Sequence, residues 1–226
     1  MKKLRAITFA VFSCLFILCA AGSSPVSAQV FDIGSGGQPT ITGALNGSVS
    51  GTANATQDLI VTVNFGEVSP VNTNNLVKVV VPIAIRSDAP YQVSVSVAGT
   101  FNSNPQAVQQ SDIGFGARNI RQMGIKSQDC SRSQHLFRAP FENDPSANIT
   151  LNAQGRTAYP SSLANVGANT VILSGPKLTK GNITKHEADN GYIFDAILTI
   201  RPQFYVSGTV NATITFTISA GPDVPC

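Results

Sequence analysis

Few side chains in this sequence could carry out chemistry. There are only two histidines, His135 and His186, and neither lies in an H-x-x-H or H-E-x-x-H arrangement that would bring two ligands to one metal ion. We therefore expect two exposed loop histidines and predict no metal site. Ser131 and Ser133 lie near His135, but no acidic residue has a spacing that would complete a catalytic triad.

The carboxylates come closest to a cluster in two runs, Glu142-Asn143-Asp144 and Glu187-Ala188-Asp189-Asn190. Oxygen-rich loops can bind calcium, but neither run has the spacing of a calcium-binding loop, so we interpret both as turns. No glycine-rich phosphate loop follows a strand and opens a helix. The sequence thus predicts no catalytic residues, no cofactor and no enzymatic activity. The alternative is a hydrolase that uses Glu142, Asp144 or Glu187.

The N-terminal residues have the three parts of an export signal. Residues 1–5 are basic, residues 7–21 are almost entirely apolar, and Val26-Ser27-Ala28 offers the small residues that a signal peptidase recognises. Residues 1–28 are therefore predicted to be a signal peptide, and the mature protein to be secreted, periplasmic or on the cell surface. No stable membrane insertion is expected after cleavage, because a spanning helix needs about 20 apolar residues. A lipoprotein signal with Cys19 is the alternative, although Leu18 fits poorly before a lipidated cysteine.

The charge of the mature chain limits its partners. The sequence has 15 Lys and Arg and 12 Asp and Glu, and loss of Lys2, Lys3 and Arg5 with the signal peptide makes the two counts equal. A chain without net charge lacks the basic surface typical of nucleic-acid binding, so no nucleic-acid partner is expected.

Two cysteines would be left after export, Cys130 and Cys226. In an oxidising compartment they would most simply form one disulfide. A bond from Cys226 to another subunit is the alternative.

Apolar and polar residues alternate along most of the chain, as in residues 77–85, 91–97, 194–200 and 210–218. This period of two indicates strands with one buried face, and no window has a helical period. Many short strands separated by turn signals predict an all-β fold in which antiparallel sheets pack face to face. Asp88-Ala89-Pro90 marks one turn, and Asn190-Gly191 is the sharpest hairpin signal.

Two segments depart from this regular alternation. Residues 101–169 are rich in Ser, Asn, Gln and Pro, and we predict that they form long polar loops and edge elements of the same sandwich. Since loops carry function more often than strands do, a binding surface is expected there. Residues 41–55 alternate strictly but are rich in glycine, so 29–56 is predicted to be an N-terminal extension or the first strand. Residues 57–226 form the predicted sandwich domain.

Three stretches together resemble a known family: VNFGEVSPVN (63–72), VKVVVPIAIRSDAPYQVSVSV (77–97) and GTVNATITFTI (208–218). They look like parts of the subunits of bacterial chaperone–usher pili, including the spore-coat-U-like class. The resemblance implies an Ig-like sandwich that lacks one strand and receives it from the N-terminal extension of a neighbouring copy. It also implies that Ile41, Leu45 and Val49 are donor-strand anchors, and that the partners are copies of this chain or related surface subunits.

The leading functional prediction is an exported, non-enzymatic structural or adhesive surface protein, pilin-like, that assembles by β-strand addition. The alternative is a secreted module that binds a glycan or a protein through the loops of residues 101–169. The chain has no tryptophan and only 4 tyrosines, so the aromatic surface typical of sugar binding is expected to be thin.

Overall fold

A computed structural model describes residues 31–55, 57–68, 70–71, 75–99, 101, 103–123, 134–177, 191–206 and 210–224. In these residues the regular structure is β-strands and two single 3-10 turns. The strands are β1 (Phe31–Ser35), β2 (Thr40–Thr42), β3 (Ser48–Ala55), β4 (Asp58–Asn64), β5 (Val77–Ser87), β6 (Tyr91–Ala98), β7 (Ile113–Met123), β8 (Leu136–Phe137), β9 (Thr150–Leu151), β10 (Thr157–Ala158), β11 (Thr170–Gly175), β12 (Gly191–Ile200) and β13 (Asn211–Ala220). The prediction of an all-β fold is confirmed.

The strands form two large antiparallel sheets that pack together. Sheet 1 has the order β1-β5-β12-β7, and β2 follows β1 along the same edge of β5. Sheet 2 has the order β3-β4-β13-β6-β11-β8. A separate short ribbon pairs β9 with β10. The predicted antiparallel sandwich is therefore confirmed.

Strict alternation along β5 explains why the two sheets pack. Its odd-numbered residues are buried and its even-numbered ones half-buried, so one face of the strand supplies the core. Phe115 and Phe194 of sheet 1 meet Phe216 of sheet 2 with ring centroids 6.4 and 6.5 Å apart. Each such side chain contributes about 1.5–3 kcal/mol on burial, so these rings join the layers.

One of the predicted turns connects the two sheets, and one predicted hairpin is not formed. The Asp88-Ala89-Pro90 turn joins β5 in sheet 1 to β6 in sheet 2. The prediction of a hairpin at Asn190-Gly191 is wrong, because β12 begins at Gly191 and pairs along one edge with β5 and along the other with β7, which leaves no edge for a preceding strand. Asn190 itself lies outside the described residues.

The segment of residues 40–55 lies within this chain's own two sheets. Ile41 in β2 pairs with Val79 of β5, and Val49 in β3 pairs with Val63 of β4. Between these strands the chain crosses from sheet 1 to sheet 2 through Gly43, whose φ is +76°. A glycine is favoured there because it adopts positive φ at no steric cost. The segment thus forms two short strands, one in each sheet, that follow β1.

The middle of the chain contains more regular structure than the predicted polar loops. It supplies the 11-residue strand β7 at the edge of sheet 1, and residues 139–162 then pack along the free edge of this strand and over its outer face. The Phe141 carbonyl accepts a hydrogen bond from Ala117 N at 2.7 Å, and the Ser161 carbonyl accepts one from Phe115 N at 3.1 Å. Gly114 and Gly116 leave room for this cover, because they have no side chains to project from the outer face.

No helix in the described part of the chain is long and apolar enough to cross a membrane.

Candidate functional site

A groove of about 600 Å³ lies at the end of the sandwich where β4 and β12 finish and β5 and β13 begin. We call it the end groove. It is lined by Pro70, Gln106, Leu151, Gly155, Arg156, Arg201, Pro202, Gln203, Phe204 and Tyr205. Its volume lies in the range of about 300–1,000 Å³ that is typical of ligand sites. Four separate parts of the chain converge here, so the folded sandwich is needed to form it.

Arg156 fixes one wall of the end groove. Its Nε donates to Asp112 Oδ1 at 3.2 Å, and Nη2 donates to Asp112 Oδ2, while further N–H groups donate to the carbonyls of Pro105 and Ala107. Asp112 is only 2% exposed and also accepts a hydrogen bond from Gln109 N at 2.8 Å. The two-point pairing of a guanidinium with a carboxylate is among the stronger hydrogen-bonding arrangements. The loop of residues 103–112 is thereby held against the β9–β10 ribbon.

Tyrosines fill the space behind this ion pair. The Arg156 guanidinium lies 5.5 Å from the centre of the Tyr205 ring, within the range of a cation–π contact. Tyr159 accepts a hydrogen bond from Arg201 N at 2.8 Å, and burial raises the pKa of Tyr159 to about 12. Burial also raises the pKa of Tyr205 well above its usual value. Both phenols are therefore neutral at pH 7 and serve to support the groove.

The rim of the end groove exposes large apolar side chains. Phe204 is 83% exposed and Leu151 is 60% exposed, and both line the groove. Val71, next to Pro70, and Val206, next to Tyr205, are exposed as well. A patch of exposed apolar side chains on a protein surface marks a site of interaction.

Most backbone N–H groups of the segment 201–206 are already engaged. Arg201 N donates to the Tyr159 hydroxyl, and Tyr205 N donates to the Gln203 carbonyl at 2.8 Å. Val206 N donates to the Gln106 carbonyl at 3.1 Å, and Pro202 has no N–H. The segment therefore presents side chains rather than a row of backbone donors.

A second cluster of polar groups, at the opposite end of the sandwich, is fully buried. His135 is 5% exposed, and the expectation of an exposed loop histidine is wrong for this residue. Its Nδ1 lies 3.1 Å from the Tyr91 hydroxyl, and its ring centre lies 4.5 Å from that of Tyr192. The aromatic rings on β6 and β12 make the site apolar enough to bury an imidazole. His186 lies outside the described residues.

Acid is expected to destabilise the fold through His135. Burial lowers the pKa of this residue from 6.5 to about 4. The unfolded chain gains a proton below about pH 6.5, whereas the folded chain gains it only near pH 4, so the stability present above pH 6.5 is lost as the pH falls toward 4. Urea unfolding should give a free energy lower by about 1–2 kcal/mol at pH 5 than at pH 7.

The matched variants for this pH prediction are His135→Phe and His186→Gln. His135→Phe should remove most of the difference in the free energy of unfolding between pH 7 and pH 5, even if it also changes stability at both pH values. His186→Gln should retain the difference. If the stability of His135→Phe depends on pH as that of wild type does, the loss of stability in acid does not come from His135.

The carboxylates of the first predicted run act structurally. Asp144 pairs with Lys78, and its Oδ1 accepts a hydrogen bond from Ser146 N at 2.9 Å, as in a turn. Burial opposes ionisation of Asp144, but the hydrogen bonds from Lys78 and Ser146 outweigh it and keep its pKa below the usual value. Glu142 is exposed. The second run, residues 187–190, lies outside the described residues.

The structure does not bring the other predicted site residues into one site. Ile41 and Val49 are half-buried in β2 and β3, and Leu45 lies between these strands in an isolated bridge with Glu67. Cys130 and Cys226 lie outside the described residues, so their disulfide stays a prediction. Among the described residues, no three His, Cys, Asp or Glu side chains are grouped to hold a metal ion.

Sequence reasoning found only part of the end groove. The predicted region 101–169 supplies Gln106, Leu151 and Arg156, but Arg201 and Phe204 were not identified. A signal was available: Pro202 ends the alternation of β12, and Phe204 follows in a segment that does not resume it. An aromatic residue in such a break is a candidate for exposure.

No family model, no curated protein and no solved structure matches this chain. The resemblance to chaperone–usher subunits accordingly stays a prediction.

Proposed function

We propose that the protein is an exported, non-enzymatic binding or adhesive protein that holds a ligand in the end groove. The observation that carries the proposal is the exposure of Phe204, at 83%, beside Leu151 in a groove of about 600 Å³. The predicted export signal of residues 1–28 supports the proposal, because an exported protein meets surfaces outside the cytoplasm.

The energetics of the two exposed side chains favour a contact surface. A Leu or Phe side chain gains about 1.5–3 kcal/mol when it leaves water completely. This gain is unused in the folded chain and becomes available when a ligand covers the rim. The walls behind the rim are held by the Arg156–Asp112 pair, so little ordering is needed on binding.

Three carboxylates and one histidine among the described residues support a non-enzymatic role, because they are engaged in the structure. Asp32 pairs with Arg86, Asp144 with Lys78, and Asp112 with Arg156. His135 is buried against two tyrosines. These groups stabilise loops and strands and do not converge on the end groove as an acid and a base would.

Binding should depend on Phe204. The mature protein would be applied to immobilised glycans and proteins, and each ligand that it binds would be tested again with Phe204→Ser. We expect at least a 10-fold loss of affinity, because aromatic anchors carry a large share of interface energy. Leu136→Ser is the control: Leu136 is 48% exposed but lies on β8, away from the groove. Equal affinity for wild type and Phe204→Ser would contradict the proposal.

A second proposal is self-assembly by β-strand addition. It is supported by the position of β3, which ends sheet 2 and has no strand on its outer side among the described residues. Such an edge can accept another strand. Because residues 40–55 pair within their own chain, assembly through Ile41, Leu45 and Val49 requires them to exchange between copies.

Self-assembly is tested by size-exclusion chromatography with light scattering on the mature protein and on a deletion of residues 29–56. Oligomers that disappear on deletion, provided that the deleted chain still folds, would support strand addition. A monomer at high concentration, with the amides of residues 48–55 protected from hydrogen exchange, would contradict it.

A further inference from the structure

The polar side chains of the end groove differ in what they already bind. Arg156 is engaged by Asp112 and by two backbone carbonyls. The guanidinium of Arg201 and the side-chain amide of Gln106, in contrast, have no hydrogen-bond or ion-pair partner among the described residues. These two groups are available to a ligand.

The charge of the groove selects a negative ligand. Among the described residues, its lining contains two arginines and no carboxylate. The charge of Arg156 is balanced by Asp112, whereas Arg201 has no compensating charge in the described part of the groove. A guanidinium binds a carboxylate or a phosphate through two parallel hydrogen bonds, so the complementary group on the ligand is an anion of this kind, and we take the carboxylate that uronic acids carry.

The engaged backbone of residues 201–206 argues against an extended peptide. Strand addition needs a row of free N–H and C=O groups, but Arg201, Tyr205 and Val206 already donate their N–H groups within the chain. This favours recognition of the ligand through side chains. This favours a molecule that carries its own hydrogen-bonding groups around its edge.

The remaining lining suits a sugar ring. Phe204 offers a flat apolar face, and a pyranose has an apolar face of C–H groups. The Gln106 amide can both donate and accept hydrogen bonds, as pairs of sugar hydroxyls require. An aromatic face, an amide and a guanidinium thus match a sugar that carries a carboxylate.

Resting on the proposed function, we propose that the end groove binds an acidic polysaccharide whose sugar units carry carboxylates, that is, a polyuronate. Arg201 pairs with the carboxylate, Phe204 stacks on the sugar face, and Gln106 bonds to hydroxyls. Leu151 covers the apolar edge of the ring. Binding is reversible and breaks no covalent bond.

The test is isothermal titration of the mature protein with oligomers of glucuronic, galacturonic or mannuronic acid. Each oligomer is compared with the same oligomer after its carboxyl groups have been reduced to primary alcohols. We expect at least one uronate oligomer to bind, and its reduced form to bind 10-fold more weakly or worse. Added salt should weaken binding of the uronate oligomer and leave binding of the reduced oligomer unchanged.

Two variants locate the interaction. Arg201→Gln should weaken uronate binding by about 10- to 100-fold, the range expected for hydrogen bonds to a charged group. Arg201→Lys keeps the positive charge but cannot form the two parallel hydrogen bonds of a guanidinium. Its affinity for the uronate should lie between those of wild type and Arg201→Gln. Leu136→Ser should bind as wild type does. Unfolding midpoints equal to that of wild type would show that each variant is folded.

Each failure has a separate meaning. No uronate binding, equal binding of the reduced oligomer, or no effect of Arg201→Gln would overturn the assignment of a polyuronate. Binding of polyglutamate in place of the uronates would also overturn it and would indicate an acidic peptide. If a ligand other than a uronate still depends on Phe204, the proposed function stands without this inference.

Discussion

Replacing Arg156 by alanine is expected to lower the free energy of unfolding by about 3–5 kcal/mol. Asp112 is 2% exposed and receives two of its hydrogen bonds from the Arg156 side chain. In the variant the carboxylate stays buried and keeps the hydrogen bond from Gln109 N, which cannot compensate for the lost cation. The carbonyls of Pro105 and Ala107 lose donors as well.

Urea unfolding at pH 7 measures this effect, and Arg201→Ala provides the matched control. Arg201 is an exposed arginine of the same groove whose side chain has no partner among the described residues, so its removal should change stability by less than about 0.5 kcal/mol. Asp112→Ala combined with Arg156→Ala should be more stable than Arg156→Ala alone, because no buried charge is left unpaired. Equal costs for Arg156→Ala and Arg201→Ala would contradict the structural role of the pair.

The substitution Gly116→Ala is expected to lower stability by about 2–3 kcal/mol by displacing the cover over β7. A Cβ at this position would lie 2.1 Å from the Asn143 carbonyl oxygen and 3.0 Å from Pro145 Cδ. The first contact is with backbone, which cannot move aside as a side chain can. The cover must shift away from the sheet, and this weakens the hydrogen bond from Ala117 N to Phe141 O.

Thermal unfolding and limited proteolysis together test the Gly116 prediction. Gly116→Ala should lower the midpoint and make residues 139–162 the first site of cleavage. Gly34→Ala is the control, because Gly34 is also a strand glycine but a Cβ there would meet nothing within 4 Å. Similar midpoints and cleavage rates for the two variants would contradict the close packing of the cover.

The sequence was sufficient to predict the sandwich because its main signal is local. In β5 the side chains from Val77 to Ile85 alternate, and this period alone predicts which of them are buried. Which strands become neighbours depends on contacts far apart in sequence. β13 lies between β4 and β6, and nothing in its alternation indicates that position. The Asn190-Gly191 signal failed for the same reason, since turn residues do not determine which strands pair with β12.

The candidate site was harder to predict because it is assembled from distant segments. Leu151 lies within the predicted binding region, whereas Phe204 follows β12 and meets it only in the folded chain. Burial of His135 was missed because Tyr91 and Tyr192, which enclose it, lie 44 and 57 positions away along the chain. The role of Gly116 was not predicted, since the approach of Asn143 is visible only in three dimensions.

The central claim, that the end groove is the binding surface, is tested most directly by hydrogen-exchange mass spectrometry. The mature protein would be compared with and without a uronate oligomer, or with and without another ligand whose affinity depends on Phe204. We predict that protection on binding is confined to peptides that contain residues 103–107, 151–156 and 201–206. Protection confined to the outer edge of β3, or to the end of the sandwich near His135, would contradict the account.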